Sequence, residues 1–140
     1  MKNGDNFILA YYQAIKDGSE SVGEWIVLLY EYIVRGLENK EFYYDGKKAS
    51  RAIKFIESYC HHSKGRNDLI SLELWQKAFI SCLFGIVDEN GLRQFREVVL
   101  VVGRKNGKSL LAAAIMEVAA YIDGEFGAEI YCLAPKLDEA

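Results

Sequence analysis

The fold of this chain is decided by residues 98–109, which have the sequence Val98-Val99-Leu100-Val101-Val102-Gly103-Arg104-Lys105-Asn106-Gly107-Lys108-Ser109. The five aliphatic residues at its start, four of them β-branched, suit a strand buried on both faces of a parallel sheet. The Leu- and Ala-rich segment after Ser109 favours a helix. The stretch therefore predicts a strand, a phosphate-binding loop and a helix.

The junction between the loop and the helix has the chemistry of an anion site. The first N–H groups of a helix lack intrahelical partners and carry the positive end of the helix dipole. Gly107 lets the backbone approach phosphates, Lys108 can reach the β- and γ-phosphate oxygens, and the Ser109 hydroxyl can bind Mg²⁺. The usual signature has a glycine where this chain has Val102, and here Gly103 follows one step later. The loop is therefore a variant of the nucleotide-binding signature.

A second apolar segment, residues 128–134, follows the predicted loop helix after a turn at Asp123-Gly124. Strand, helix and strand within about forty residues predict a βαβ unit with parallel strands and a right-handed crossover. A doubly wound sheet needs more than two strands. We therefore expect an α/β fold, with N-terminal helices followed by the start of a P-loop NTPase sheet, in a domain that is incomplete within these 140 residues.

Upstream of the loop the chain is predicted to be helical. We expect helices from Phe7 to Lys16, from about Ser21 to Asn39, from Lys47 to Cys60 and from Ser71 to Phe84, with a turn or short strand around Tyr43. On the second helix, the apolar residues at helical spacing are expected to form core rather than a surface for stacking bases. These residues are Trp25, Leu28, Leu29, Tyr32, Ile33 and Leu37.

Composition narrows the class of protein. The chain is 51% apolar with one proline and a net charge of −3, which indicates a folded domain or a small domain with an appendage. No apolar run has the length of a membrane span, and the N-terminus lacks the build of a signal peptide, so a reducing cytosolic setting is expected. The three cysteines form no Cys-x-x-Cys pair. The adjacent Cys60, His61 and His62 are interpreted as a helix end rather than a zinc site, because adjacent residues converge on one ion only through a sharp turn.

Positive charge is concentrated between Lys40 and Arg66, a segment that has seven basic and three acidic residues. Such a segment could bind nucleic acid phosphates. It could equally be the solvated face of a helix, and we favour that interpretation for Lys47, Lys48, Arg51 and Lys54.

Several motifs resemble the N-terminal part of the large terminase subunit of tailed bacteriophages. They are Trp75-Gln76, Leu83-Phe84-Gly85, Arg104-Lys105-Asn106-Gly107-Lys108-Ser109, Asp123-Gly124-Glu125, residues 131–140 and the upstream segment 42–65. The resemblance covers the chain from about Gly18 to Ala140. The Arg-Lys-Asn-Gly-Lys-Ser string is its most specific element and accounts for the missing first glycine.

Large terminase subunits are ATP-driven motors that package viral DNA into a capsid and cut it with a C-terminal nuclease. The resemblance implies ATP and Mg²⁺ as cofactors, with Mg²⁺ at Ser109. It implies catalytic roles for Lys108 and for Arg104, which would act at the γ-phosphate, where an arginine stabilises the charge of the transition state. It further implies nucleotide binding by Trp75, Gln76, Gly103, Lys105, Asn106, Gly107, Lys108 and Ser109, with Trp75 and Gln76 at the adenine. Trp75 could equally be a core anchor, and for Gln76 a structural role is an even alternative.

The resemblance divides the chain into an N-terminal helical region at residues 1–66 and the first part of a P-loop ATPase domain at residues 67–140. The acidic Walker B motif, which would activate the attacking water, is expected beyond Ala140. We therefore expect this chain alone to bind nucleotide weakly or not at all and to hydrolyse no ATP.

The implied partners of the complete motor are double-stranded viral DNA, the portal protein, the small terminase subunit and further copies of itself, without a membrane. The implied location is the cytoplasm of the bacterial host. Two alternatives stay open at this point. One is another P-loop NTPase, of which a helicase fits better than a nucleotide kinase because about a hundred residues precede the loop. The other is a non-catalytic helical adaptor with a vestigial nucleotide site.

Overall fold

The computed structural model describes residues 6–62, 67–124 and 129–131. In chain order the elements are α1 (Phe7–Lys16), α2 (Glu24–Glu38), β1 (Tyr43–Tyr44), α3 (Gly46–Tyr59), α4 (Leu74–Gly85), β2 (Ile86–Val87) and α5 (Lys108–Tyr121). The four predicted upstream helices and the loop helix are confirmed, although α2 and α4 begin a few residues later than expected. The described residues thus combine helices with a small sheet, which is consistent with an α/β fold.

Side-chain caps explain where two of these helices begin. The Asn6 side chain accepts the N–H of Leu9 at 3.2 Å, at the start of α1. The Asp45 side chain accepts the N–H groups of Lys47 and Lys48 at 3.0 and 3.1 Å, at the start of α3. Both caps satisfy helix N–H groups that have no partner within the helix.

Helix α4 is the centre of the packing. On one side, buried residues of α3, α4 and α5 form a single core cluster that includes Ile56, Ile80 and Leu111. On the other side, α1 and α2 pack against α4 and β2 in a second cluster around Phe42 and Ala78. The first cluster joins residues from both sides of position 66, so the N-terminal helices and the loop helix are held in one packed body.

The small sheet pairs β1 with β2 in antiparallel register, Tyr43 opposite Val87 and Tyr44 opposite Ile86. A turn follows β2, in which the Asp88 carboxylate accepts the N–H of Asn90 at 2.8 Å and that of Leu92 at 3.0 Å. The chain then runs without regular structure from Phe95 to the loop.

The predicted strand at residues 98–102 is not found in the part of the chain that the structure describes. These residues form no strand, and Val99 and Val101 are 87% and 88% exposed, so the expectation of burial on both faces is wrong here. A strand exists only when a neighbour satisfies its backbone groups. The predicted neighbour, residues 128–134, lies outside the described residues except for 129–131, which form no strand. The βαβ unit is therefore not confirmed.

The prediction that the apolar stripe of α2 lies in the core is also wrong for four of its members. Trp25 is 83% exposed, and Leu28, Leu29 and Tyr32 are 44–48% exposed, whereas Ile33 is buried as expected. The helix has a second apolar face, formed by Tyr30, Ile33 and Val34, and that face contacts the body. Both faces have helical spacing, and the described residues cover only one of them.

The helix end near Cys60 is as expected. The Cys60 N–H donates to Ile56 O at 3.0 Å, and His61 Nδ1 lies 3.1 Å from Asn67 O. Among the described residues, no three potential metal ligands are grouped together. The expected turn at Gly65 lies outside the described residues. None of the helices in the described segments combines the length and apolarity that a bilayer crossing requires.

Candidate nucleotide-binding site

The loop before α5 has the backbone geometry of a tight turn into a helix. Gly107 is the N-cap of α5 with a φ of 67°, a conformation that glycine adopts without strain. Lys105 has a φ of 69°, although it is not a glycine. Strained backbone of this kind clusters at functional sites, because the surrounding structure must maintain it. Asn106 closes the turn by donating its Nδ2 to Gly103 O at 3.5 Å.

The loop carries three cations that face solvent. Arg104, Lys105 and Lys108 are exposed, and no side-chain hydrogen bond or ion pair engages them within residues 6–62, 67–124 and 129–131. Arg104 and Lys105 lie in the loop just before α5 and Lys108 is its first residue, where the helix dipole adds further positive potential. Ser109, in the first turn of α5, is also exposed. This arrangement favours a multiply charged anion.

An open cavity of about 1160 Å³ joins the loop to α4. Its lining includes Gly103, Lys105, Asn106 and Gly107 from the loop, and it also includes Trp75 and Gln76 from the first turn of α4. Thus the fold brings the predicted phosphate loop and the predicted base-binding pair to one cavity. Arg104, Lys108 and Ser109 belong to the same loop and helix end but are not among its lining residues.

Trp75 combines the two roles that the sequence left open. It is half-buried and packs against both core clusters, as an anchor would. It also lines the cavity, and its indole N–H donates to Glu73 Oε2 at 2.6 Å. One side of the residue thus stabilises the fold while the other faces the candidate site.

Sequence reasoning missed Glu73, which is the N-cap of α4 and lines the cavity. Its backbone N–H donates to Gln76 Oε1 at 2.9 Å. The signal was only partial, since Gln76 fits the fourth position of the capping-box pattern but that pattern has Ser or Thr where this chain has Glu73. Trp25 and Leu29 of α2, which were expected to be core, form another part of the lining together with Ile26.

Residues 74–140 match the family model described as terminase large subunit, ATPase domain. This match supports a fragment of a terminase large subunit. The terminase region begins at the first residue of α4 and includes Trp75, Gln76 and the whole loop from Gly103 to Ser109. Searches of curated proteins and of solved structures found no match.

Two of the four cations on the basic face of α3 donate hydrogen bonds to this terminase region. Lys48 Nζ donates to Gly91 O at 2.6 Å, and an Arg51 Nη donates to Ile122 O, just beyond α5, at 2.5 Å. Two of the four cations that could have contacted DNA therefore stabilise the fold. Lys47 and Lys54 are exposed, which agrees with a solvated face.

Proposed function

We propose that this chain supplies the phosphate- and base-binding part of the ATPase site in a terminase large subunit, the motor that packages double-stranded viral DNA. The observation that carries the proposal is the shared cavity. Its walls come from the loop and from Trp75 and Gln76, and both lie in the segment that matches the terminase ATPase domain. A helicase or kinase assignment has no comparable support.

The proposed roles follow from the chemistry of each side chain. The loop N–H groups and Lys108 bind the β- and γ-phosphate oxygens. Arg104 is an exposed guanidinium at the tip of the loop, and it stabilises the charge that spreads over the γ-phosphate in the transition state. The Ser109 hydroxyl would hold Mg²⁺, which neutralises phosphate charge when it is bound.

The base occupies the other end of the cavity in this proposal. Trp75 offers an aromatic surface to a purine ring, and Gln76 offers its carboxamide to the ring edge. Leu72 and Phe79 also line the cavity and give it an apolar wall that suits a heterocyclic ring.

Hydrolysis needs a group that activates the attacking water, and we propose that the complete protein provides it in a segment beyond residue 140. The isolated chain is accordingly expected to bind ATP weakly and to release no phosphate. ATP hydrolysis by this chain that disappears in Lys108→Ala would contradict this part of the proposal.

Partners and location are proposed for the complete motor on the strength of the family. They are double-stranded DNA, the portal, the small terminase subunit and further copies of the large subunit, in the cytoplasm of the bacterial host.

The binding proposal is tested by titrating the ¹⁵N-labelled chain with MgATP into the millimolar range and following amide resonances. We expect saturable shifts centred on residues 103–109, weakened at least tenfold in Lys108→Ala because a charge-assisted contact to phosphate is lost. Lys54→Ala is the matched control, since Lys54 is equally exposed but lies on α3. Absence of saturable binding, or equal binding by wild type and Lys108→Ala, would overturn the proposal.

A further inference from the structure

The start of α4 contains two hydrogen bonds that lie on the base side of the cavity. Glu73 Oε2 accepts the indole N–H of Trp75 at 2.6 Å, and the Glu73 N–H donates to Gln76 Oε1 at 2.9 Å. All three residues line the cavity. Glu73 therefore contacts both side chains that would meet the base.

The contact with Trp75 fixes the orientation of a ring. The indole has a single polar group, and that group donates to a carboxylate, which makes the hydrogen bond charge-assisted. The ring is consequently held with its N–H edge toward Glu73. Without this acceptor, the N–H would have to find water or another partner, and the ring would be less restricted.

The contact with Gln76 fixes which end of a carboxamide is available. A backbone N–H requires an acceptor, so the atom that faces it must be the carbonyl oxygen of Gln76. The amino group is then left to interact with other molecules in the cavity. Purine rings carry acceptor nitrogens on their edges, and an amino group held in this way can donate to one of them.

We propose that Glu73 is a positioning residue for base binding: its carboxylate holds the Trp75 ring, and its backbone N–H, which Glu73→Ser would keep, turns the Gln76 amino group toward the base. This inference rests on the proposed function, in which the cavity holds a nucleotide. It predicts that the Gln76 amino group donates to the base, because the Glu73 N–H fixes which end of the carboxamide faces the helix N-terminus.

The alternative is that Glu73 only caps α4. Serine is a better N-cap residue than glutamate, because its short side chain reaches the first N–H groups of the helix. A serine at position 73 would therefore keep the helix capped but could not reach the indole N–H. Glu73→Ser separates the two roles, and Glu73→Gln, which keeps the length and an acceptor oxygen, is the matched control.

The experiment uses the whole 140-residue chain and two probes, MgATP and magnesium tripolyphosphate, which has the phosphates but no base. Affinities come from NMR titration. The chain has two tryptophans, so the indole N–H resonance that remains in the spectrum of Trp25→Phe belongs to Trp75. In Glu73→Ser we expect that resonance to move upfield, the melting temperature to stay near that of wild type, and MgATP affinity to fall about three- to tenfold, the effect of one hydrogen bond. Tripolyphosphate affinity should be unchanged, and Glu73→Gln, which keeps an acceptor oxygen but loses the charge, should lie closer to wild type than to Glu73→Ser in every measurement.

Three results would overturn the inference. The first is equal MgATP affinity in wild type and Glu73→Ser, which leaves the proposed function intact. The second is an equal loss of affinity for MgATP and for tripolyphosphate, which shows a general disturbance of the loop. The third is a wild type that binds neither probe, which overturns the proposed function as well. If Glu73→Ser does not fold, Glu73→Asp provides the same comparison, since aspartate is also a strong N-cap and is one methylene shorter than glutamate.

Discussion

Substituting Gly36 by alanine should destabilise the chain, although glycine is normally unfavourable inside a helix. A Cβ at Gly36 would lie 2.3 Å from Cζ and 2.6 Å from Cε1 of Phe42. Non-bonded carbon atoms are at their optimum at about 3.5–4.0 Å, so the overlap exceeds 1 Å. Phe42 is only 2% exposed and contacts the rings of Tyr32 and Phe95. The ring is therefore enclosed by its neighbours and can move away from Gly36 only by displacing them.

The expected magnitude is the difference between two effects. Overpacking a core costs about 1–3 kcal/mol. Replacing glycine by alanine within a helix stabilises the fold by about 0.5–1 kcal/mol, and by less near the C-terminal end of a helix, where Gly36 lies. The net loss should be about 1–2 kcal/mol, equivalent to a fall in melting temperature of about 3–7 °C for a chain of this size.

Urea denaturation followed by circular dichroism measures this loss. Gly46→Ala is the matched control, because it also lies in a helix beside a ring, but its Cβ would be 3.4 Å from Tyr44 Cε1, an ordinary contact. We expect that control to be neutral or slightly stabilised. Phe42→Leu removes the ring atoms that clash, so Gly36→Ala should cost little in that background. A neutral or stabilising Gly36→Ala in the wild-type background would refute this account of how α2 packs.

Three further predictions concern packing, pH and DNA. Leu111→Ala should lower the free energy of unfolding in urea by about 2–4 kcal/mol, because Leu111 is 3% exposed in the cluster that joins α5 to α3 and α4. A decrease below about 0.5 kcal/mol would show that α5 is not packed there. Burial, aided by the hydrogen bond to Glu117, raises the pKa of the Cys60 thiol to about 11, and burial raises the pKa of Cys82 to about 12, against 9.0 for an ordinary thiol. The free energy of unfolding should therefore be constant up to about pH 8 and fall as the pH rises above 9, since thiols of the unfolded chain ionise first. A free energy of unfolding that stays flat to about pH 11 in the wild type would contradict this prediction. So would a fall that is just as steep after Cys60 and Cys82 are both replaced by alanine. Reversing the charges of Lys47 and Lys54 should leave DNA affinity unchanged in fluorescence anisotropy at low salt, whereas a loss that depends on salt would assign α3 a role in binding DNA.

Local chemistry explains which parts of the fold could be predicted from the sequence. Helices α1 and α3 follow directly after Asn6 and Asp45, whose side chains cap N–H groups two or three residues further along the chain. The glycine–lysine–serine junction likewise determines its own turn, and Gly107 has the positive φ that such a junction needs. These features depend on neighbours along the chain, so a single sequence contains the information.

The features that were missed depend on distant parts of the chain. Periodicity showed that Trp25 and Leu29 lie on one face of α2, but it could not show which of two apolar faces the rest of the protein covers. The strand at residues 98–102 was predicted from composition, whereas a strand also requires a partner to pair with. The two-residue strand Ile86–Val87 was missed because it is too short to have a pattern of its own.

The candidate site was predicted in two ways. The phosphate loop followed from the physical chemistry of Gly107, Lys108 and Ser109. The pairing of that loop with Trp75 and Gln76 followed from the resemblance to terminases, because nothing in their spacing places residues thirty positions apart at one cavity. The role proposed for Glu73 could be inferred only from its hydrogen bonds in the structure.

The central claim is that one cavity holds the phosphates at the loop and the base at Trp75 and Gln76. The most direct measurement is a crystal structure of the chain with Mg²⁺ and a non-hydrolysable ATP analogue at millimolar concentration. The account predicts the triphosphate on the N–H groups of residues 103–109 and the purine ring against Trp75, with the Gln76 amino group on a ring nitrogen. An analogue bound at the loop with its base pointing away from α4, or bound elsewhere on the chain, would contradict it.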